Sequence, residues 1–260
     1  MFVKVRLLRG YQKILTYKIP DDWSKYNLIG SVISVPIQNR TTQAVVLGIE
    51  EDVPKDGKFE IKEATAKDLM PQDYKYHEFT TKLSKFYFLE KEFFYRRFRS
   101  FFKASEKYKN YKSFINSVVN SSEPKDITLT GPQKDIVEYA ARSIQKPKYD
   151  PILIHGVTGS GKTEVYRELI QKNFELDKST ILLLPEVSLA MQFQNIFENG
   201  FGDKITVIGF HSASTKKEKD ILWKHLIEKK PCLIIGVHLP IILPVPNLGL
   251  TIVDEEHETG

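Results

Sequence analysis

The octet GVTGSGKT, residues 156–163, limits what this chain can fold into more than any other stretch of its sequence. It sits between the apolar run PILIHG and the segment TEVYRELIQKN, whose apolar residues recur at helical spacing. Gly, four residues, Gly, Lys, then Ser or Thr, placed between a strand and a helix, is a phosphate-loop pattern in the context it requires. The glycines let backbone N–H groups turn inward around a β-phosphate, and the helix N-terminus adds its positive dipole. Gly156, Val157, Thr158, Gly159, Ser160 and Gly161 are therefore the expected cradle. Lys162 is expected to reach the β- and γ-phosphates, and Thr163 to offer its hydroxyl to Mg²⁺.

The flanking residues continue the alternation of strand and helix. Helices are predicted near GPQKDIVEYAARSI, from Gly161 onward, at EVSLAMQFQNIFENGF and at KKEKDILWKHLIE. Strands are predicted at PILIHG, STILLLP, ITVIGF, CLIIGV and LTIVDE. Such alternation means an α/β unit with a parallel sheet and helices on its faces. The longest uncharged run, residues 231–253, is long enough to span a membrane. Its prolines and glycines divide it instead into two buried strands joined by a turn. The last of these strands ends in LTIVDEEH, which puts Asp254 at the C-terminal edge of the sheet beside the phosphate loop. There Asp254 can hold Mg²⁺ through water while Glu255 orients or deprotonates an attacking water. Two adjacent carboxylates favour hydrolysis over transfer to a small acceptor.

Taken in order, LTGPQKDIV, GVTGSGKTEVY, LLLPEVSLA, HSASTKKEK…W and PNLGLTIVDEEHE resemble the motifs of the PriA-type replication-restart DNA helicases, within the DEAD/DEAH-like superfamily 2. The resemblance covers residues 127–260 and implies the first RecA-like helicase lobe, incomplete at its C-terminus, using ATP and Mg²⁺. It implies that Gln133 reads adenine. It also implies that a second lobe with an arginine finger, and a cysteine-rich zinc insertion, belong to a part of the protein beyond residue 260. Without that arginine a rate loss of about 10³- to 10⁵-fold is expected. One segment departs from the family: in GVHLPIILP, His238 stands where an Arg is usual, and Val237 and Leu239 replace Thr and Ser.

Residues 1–72 read as a small β-rich domain. FVKVRLL alternates, ILTYKIP follows Gly10, LIGSVISVPI and TQAVVLGIEE form a hairpin around QNRT, and FEIKEATA is a further strand. The family begins with a β-rich domain that captures the 3′ end of a DNA strand. LTYKIP resembles its opening segment, with Leu15-Thr16 in place of a Phe-Asp pair, and Gln38 standing where a glycine is expected. Lys62 matches a lysine that the family uses. The resemblance thus implies a DNA-end contact made by Leu15, Thr16, Tyr17 and Lys62.

Residues 73–115 are predicted to be a helical connector, and the Asn/Ser-rich residues 116–126 a linker. From Lys85 to Lys112 there are nine basic residues, three acidic ones and eleven aromatics. Two readings stay open: aromatics in a core with cations in water, or Arg96, Arg97, Arg99 and Lys103 tracking phosphates while exposed aromatics stack on bases. The charge distribution bears on this choice. Residues 1–126 carry 23 Lys and Arg against 16 Asp and Glu, whereas residues 127–260 carry 15 against 17. A basic half beside a near-neutral nucleotide-binding half points to a phosphate-rich partner. Residues 103–126 are too few for the winged-helix module that the family often carries between its DNA-end and helicase domains.

The single cysteine, Cys232, excludes an internal disulfide and a multi-cysteine zinc site in these 260 residues, and suits a reducing compartment. MFVKVRLLRGYQK is too charged for a signal peptide. The expectation is the N-terminal portion of an ATP-dependent DNA helicase of replication restart, cytoplasmic and nucleoid-associated, without a membrane segment. Its expected partners are forked and single-stranded DNA, primosome proteins and single-strand-binding proteins. A second reading is a fork-binding scaffold or loader that uses ATP binding as a switch without unwinding. A third, a small-molecule kinase, is disfavoured by the acidic motif and by the lack of a lid or acceptor site.

Overall fold

The computed structural model describes residues 1–8, 13–51, 61–71, 73–103, 128–146, 148–157 and 159–255. It divides into two compact units, Met1–Lys103 and Ala104–Gly260.

The first unit is built on a five-stranded antiparallel sheet. Its strands are β1 (Phe2–Leu7), β2 (Leu15–Lys18), β3 (Val32–Ile37), β4 (Arg40–Glu50) and β5 (Ala66–Asp68), in the spatial order β2-β1-β4-β3-β5. Alternation in FVKVRL sends Val3, Val5 and Leu7 into the core. There they meet Tyr17, Trp23, Leu28, Ile33, Val35 and Val46. The predicted hairpin is β3–β4, and Gln38 takes a left-handed backbone (φ 51°) at its turn. That conformation favours glycine, which is why a glycine is the expected residue there. The FEIKEATA segment forms less strand than predicted. Among its described residues Glu63 makes an isolated bridge to Lys18, and only Ala66–Asp68 is a strand.

Helices α1 (Tyr74–Tyr87) and α2 (Lys91–Lys103) belong to this same unit. Asp73 caps α1 by accepting from the Lys75 N–H, and α1 ends where Phe88 turns left-handed (φ 54°). The inner face of α2 carries Tyr95 and Phe98, both packed against Tyr76 of α1. His77 and Tyr95 share a hydrogen bond of 2.6 Å. Burial, helped by the Lys91 cation and opposed by Asp73, pushes the His77 pKa down, which favours the neutral imidazole. The expected linker, residues 116–126, lies outside the described residues.

The second unit holds a four-stranded parallel sheet. Its strands are β6 (Ser179–Leu183), β7 (Val207–Gly209), β8 (Leu233–Gly236) and β9 (Leu248–Val253), in the order β7-β8-β6-β9. Every residue of β6 and β8 is buried, as a parallel strand covered on both faces requires. The helices are α3 (Gly131–Ile144), α4 (Lys162–Glu175), α5 (Val187–Phe201) and α6 (Lys216–Glu228). α3 and α4 pack through Val137, Ala140, Ile144, Val165 and Leu169, while Phe193, Phe197 and Phe201 of α5 cover the sheet. Thr130 with Gln133, and Thr215 with Glu218, close capping boxes at the starts of α3 and α6. The run 231–253 is the predicted pair of strands, separated by a short 3₁₀ turn at Leu239–Ile242.

PILIHG departs from expectation, because residues 151–157 form no strand. Pro151 has no N–H to give a ladder, and Leu153 is 77% exposed. Ile152 and Ile154 still anchor the segment by packing against the α3–α4 cluster. The side chains thus hold it in place although it pairs with no strand among the described residues. No described helix is long and apolar enough to cross a membrane.

Candidate nucleotide-binding site

The site is assembled at the C-terminal ends of the parallel strands, where α/β sheets bind ligands. Residues 156–161 lead directly into α4, with Gly159 (φ 79°) and Gly161 (φ 81°) both left-handed and Gly161 as the helix N-cap. The loop is tight. A Cβ on Gly156 would lie 2.7 Å from the Ser160 hydroxyl, and one on Gly161 would collide with the Gln133 amide. Val157 and Ser160 are exposed, and Lys162 and Thr163 half-buried, in the first turn of α4. Thr158 lies outside the described residues.

Lys162 donates from Nζ to the Gly156 carbonyl at 3.2 Å, and the same nitrogen stands 3.9 Å from Oε1 of Glu255. The ammonium is therefore held over the mouth of the loop by one carbonyl and one carboxylate, both replaceable by a stronger anion. Asp254 extends the β9 ladder by donating its N–H to the Leu183 carbonyl at 3.0 Å. Its Oδ1 accepts from the Tyr166 hydroxyl at 2.8 Å. Glu255 then turns the chain with φ 52°.

These residues fit a magnesium nucleotide. The left-handed backbone at Gly159 (φ 79°) and Gly161 (φ 81°) is one that glycine adopts readily. A lysine and a helix N-terminus supply positive charge, and the available metal ligands are hard oxygens, a hydroxyl and a carboxylate. No group of three or more His, Cys, Asp or Glu that could hold a metal occurs among the described residues. Cys232 is buried, and burial pushes its thiol up to about 12.

Gln133 lies beside the loop with its side chain engaged. Its Oε1 accepts from the Thr130 N–H at 2.9 Å, and its Nε2 donates to the Ser160 carbonyl at 3.0 Å. In this structure Gln133 ties the start of α3 to the phosphate loop.

The candidate DNA contacts in the first unit fare unevenly. Leu15 and Thr16 are half-buried in β2, and Lys62 is exposed alongside that strand, its carbonyl accepting from the Lys18 N–H at 3.0 Å. Lys62 thus lies beside the Lys18 end of β2, whereas Leu15 and Thr16 form the strand's other half. Tyr17 points inward, with its hydroxyl donating to the Pro36 carbonyl at 3.1 Å. Arg96 is half-buried, and Arg97 is exposed with its guanidinium 5.1 Å from the Phe101 ring centroid. Arg99 corrects the expectation. It is 3% exposed and bonded through Nη2 to both the carbonyl and the carboxylate of Asp68, at 2.7 Å each. It fastens α2 to β5 and does not face solvent.

Comparison with known proteins decides the family. The profile of the DEAD/DEAH box helicases matches residues 131–260, half of the chain. The chain belongs to the DEAD/DEAH box helicase family. A second profile, that of the 3′DNA-binding domain of PriA, matches residues 3–91. The chain is 36% identical over 147 residues to the replication restart protein PriA of Bacillus subtilis, a match covering 56% of this chain and 18% of that protein. It is 40% identical over 135 residues to PriA of Chlamydia muridarum, covering 52% of this chain and 18% of the relative. Over 112 residues it is 40% identical to PriA of Synechocystis, covering 43% and 13%. The matches thus span under a fifth of each of these relatives.

Two features of this DEAD/DEAH box site escaped the sequence reading. One is the double engagement of Gln133, for which Thr130 three residues earlier was a visible capping-box signal. The other is the Tyr166–Asp254 hydrogen bond. Helical spacing from Val165 and Leu169 marks Tyr166 as inward-facing, but nothing in the sequence says what its hydroxyl meets. His238 is exposed just past β8.

Proposed function

We propose that this chain is the DNA-holding and ATP-docking front portion of a replication-restart helicase, which moves along single-stranded DNA at forks by hydrolysing ATP. The observation that carries this reading is the order of the parts: a 3′DNA-binding-domain match followed by a helicase lobe with Lys162, Glu255 and Asp254 gathered at one sheet edge. Lys162 binds and orients the β- and γ-phosphates. Thr163 and Asp254 would hold Mg²⁺, which would supply charge neutralisation along the phosphates. Glu255 takes the proton from the attacking water. Leu15, Thr16 and Lys62 present the edge of β2 to a DNA 3′ end. Primosome and single-strand-binding proteins act as partners of the longer protein in the cytoplasm, at the nucleoid.

The reading is tested by phosphate release from this chain with ATP and Mg²⁺, with and without forked DNA. Stimulation by the fork supports it. Fork binding and nucleotide binding without any turnover favour the scaffold or loader, in which ATP is only a switch.

The corner between α1 and α2 supports the DNA-contact part of this reading. Phe88 is 95% exposed and Phe86 74%, with Tyr87 and Phe93 also exposed. Lys82, Lys85 and Arg97 are exposed on the same two helices. Aromatic faces beside cations suit single-stranded DNA, where each stacked base contributes about 1–3 kcal/mol. The double substitution Phe86→Ala/Phe88→Ala is expected to weaken single-stranded DNA binding by about 10-fold or more, and duplex binding far less. Fluorescence anisotropy with both DNAs measures this, and equal losses on both would remove stacking from the account.

A further inference from the structure

The phosphate-loop pattern requires nothing of residue 166, yet Tyr166 reaches the acidic end of β9. It lies three residues past Thr163 in α4, so helical spacing sets the two on neighbouring positions of one face. Its ring is buried with Ile170, Leu182, Leu184, Phe197 and Ile252. Its hydroxyl donates to Oδ1 of Asp254 at 2.8 Å, across 88 residues of sequence. Packing in that cluster asks only for an aromatic ring, which phenylalanine would supply. The hydroxyl serves Asp254.

We propose that Tyr166 is a positioning residue for the magnesium site: by occupying one oxygen of Asp254 it fixes the carboxylate's rotation and leaves the other oxygen to meet the hydrated cation. This rests on the reading of residues 156–163 and Asp254 as a Mg-nucleotide site. The main chain of Asp254 is already held by the Leu183 carbonyl at 3.0 Å. With Tyr166 bound as well, the residue is anchored at both ends. Without the hydroxyl, the side chain turns freely about its two torsions and must be ordered by the metal itself. An outer partner of this kind typically changes metal affinity by about 10- to 100-fold. A water-bridged cation, touched less directly, belongs at the lower end.

The plain alternative is that a buried phenol needs any acceptor and Asp254 is the nearest one. The two accounts differ in what Tyr166→Phe does. If the bond only satisfies the phenol, the variant changes the melting temperature and leaves the Mg²⁺ requirement of nucleotide binding untouched. If the bond positions Asp254, the Mg²⁺ requirement rises while the core keeps its ring.

The experiment is a Mg²⁺ titration of fluorescent ATP-analogue binding to the 260-residue chain, for the wild type, Tyr166→Phe, Asp254→Asn, the double variant and Lys162→Ala. The expected result is a half-saturating Mg²⁺ concentration about 10-fold higher in Tyr166→Phe, with no further shift when Asp254→Asn is already present. A Tyr166→Phe titration that superimposes on the wild type overturns the proposal, and so do shifts that simply add to that of Asp254→Asn. Lys162→Ala separates the two levels. If it binds nucleotide as the wild type does, the nucleotide-site reading fails whatever Tyr166 does. A second measurement needs no variant to fold: the Tyr166 Cζ resonance, in a chain labelled at that carbon, reports the hydrogen bond before and after Mg-nucleotide is added. Persistence of the bond supports positioning, and its release on binding overturns it.

Discussion

Nucleotide binding by the Lys162→Ala variant is expected to be weaker than wild type by about 100-fold or more, with little change in folding stability. The size follows from the interaction lost: charge-assisted hydrogen bonds contribute about 1.5–3 kcal/mol each, and the ammonium is placed to serve two phosphates. The small structural effect follows from what Lys162 does without a nucleotide. Its side chain is a quarter exposed and makes one hydrogen bond to the Gly156 carbonyl, at 3.2 Å, and one ion pair with Glu255, at 3.9 Å. Neither contact is in a core, and alanine is a good residue for the first turn of α4. Calorimetric titration with Mg-ATP beside a thermal melt separates the two effects. Unchanged affinity would mean that the nucleotide is not held at this loop, and the assignment of Lys162 would fall with the nucleotide-site reading.

How much of this was legible in the sequence depends on the kind of interaction. Periodicity alone finds the parallel sheet and its helices, because burial of a strand on both faces leaves a continuous apolar run such as ILLL or CLIIG. The same logic over-reads PILIHG. Apolar residues are necessary for a strand, but a ladder also needs a strand to pair with, and the described residues give this segment none. Arg99 shows the opposite error. A cation in a basic-aromatic run reads as a solvated or DNA-facing group, yet residues 95, 98, 99 and 102 fall on one helical face, and Tyr95 and Phe98 of that face are buried. That spacing was available and marks Arg99 as inward-facing; its acceptor, Asp68, lies 31 residues away and is a product of the fold. Lys162, Asp254 and Glu255 could be singled out because phosphate and magnesium chemistry restricts the residue types, and the fold sets Lys162 and Glu255 3.9 Å apart. Tyr166 closes the quoted GVTGSGKTEVY motif, but the acceptor of its hydroxyl, 88 residues away, is a product of the fold.

The Glu255→Gln variant is expected to hold nucleotide at least as tightly as wild type while releasing phosphate about 10²- to 10⁴-fold more slowly, the usual contribution of a positioned general base. The two effects have opposite signs for one electrostatic reason. With no nucleotide bound, the Glu255 carboxylate stands 3.9 Å from the Lys162 ammonium and competes with phosphate for it. Removing the negative charge releases Lys162 to the nucleotide and lessens repulsion of the triphosphate, so affinity rises or holds. Glutamine keeps the shape of the side chain but cannot accept the proton of the attacking water. Glu255 also sits at φ 52°, a backbone that costs an L-residue about 1 kcal/mol or more relative to the right-handed region. Such a conformation at the turn after Asp254 aims the carboxylate where an extended strand would not. Single-turnover phosphate release with forked DNA, measured beside equilibrium binding, checks both signs at once. Parallel loss of binding and turnover would assign Glu255 to holding the metal or the phosphates, and the proton would then have to leave by another route.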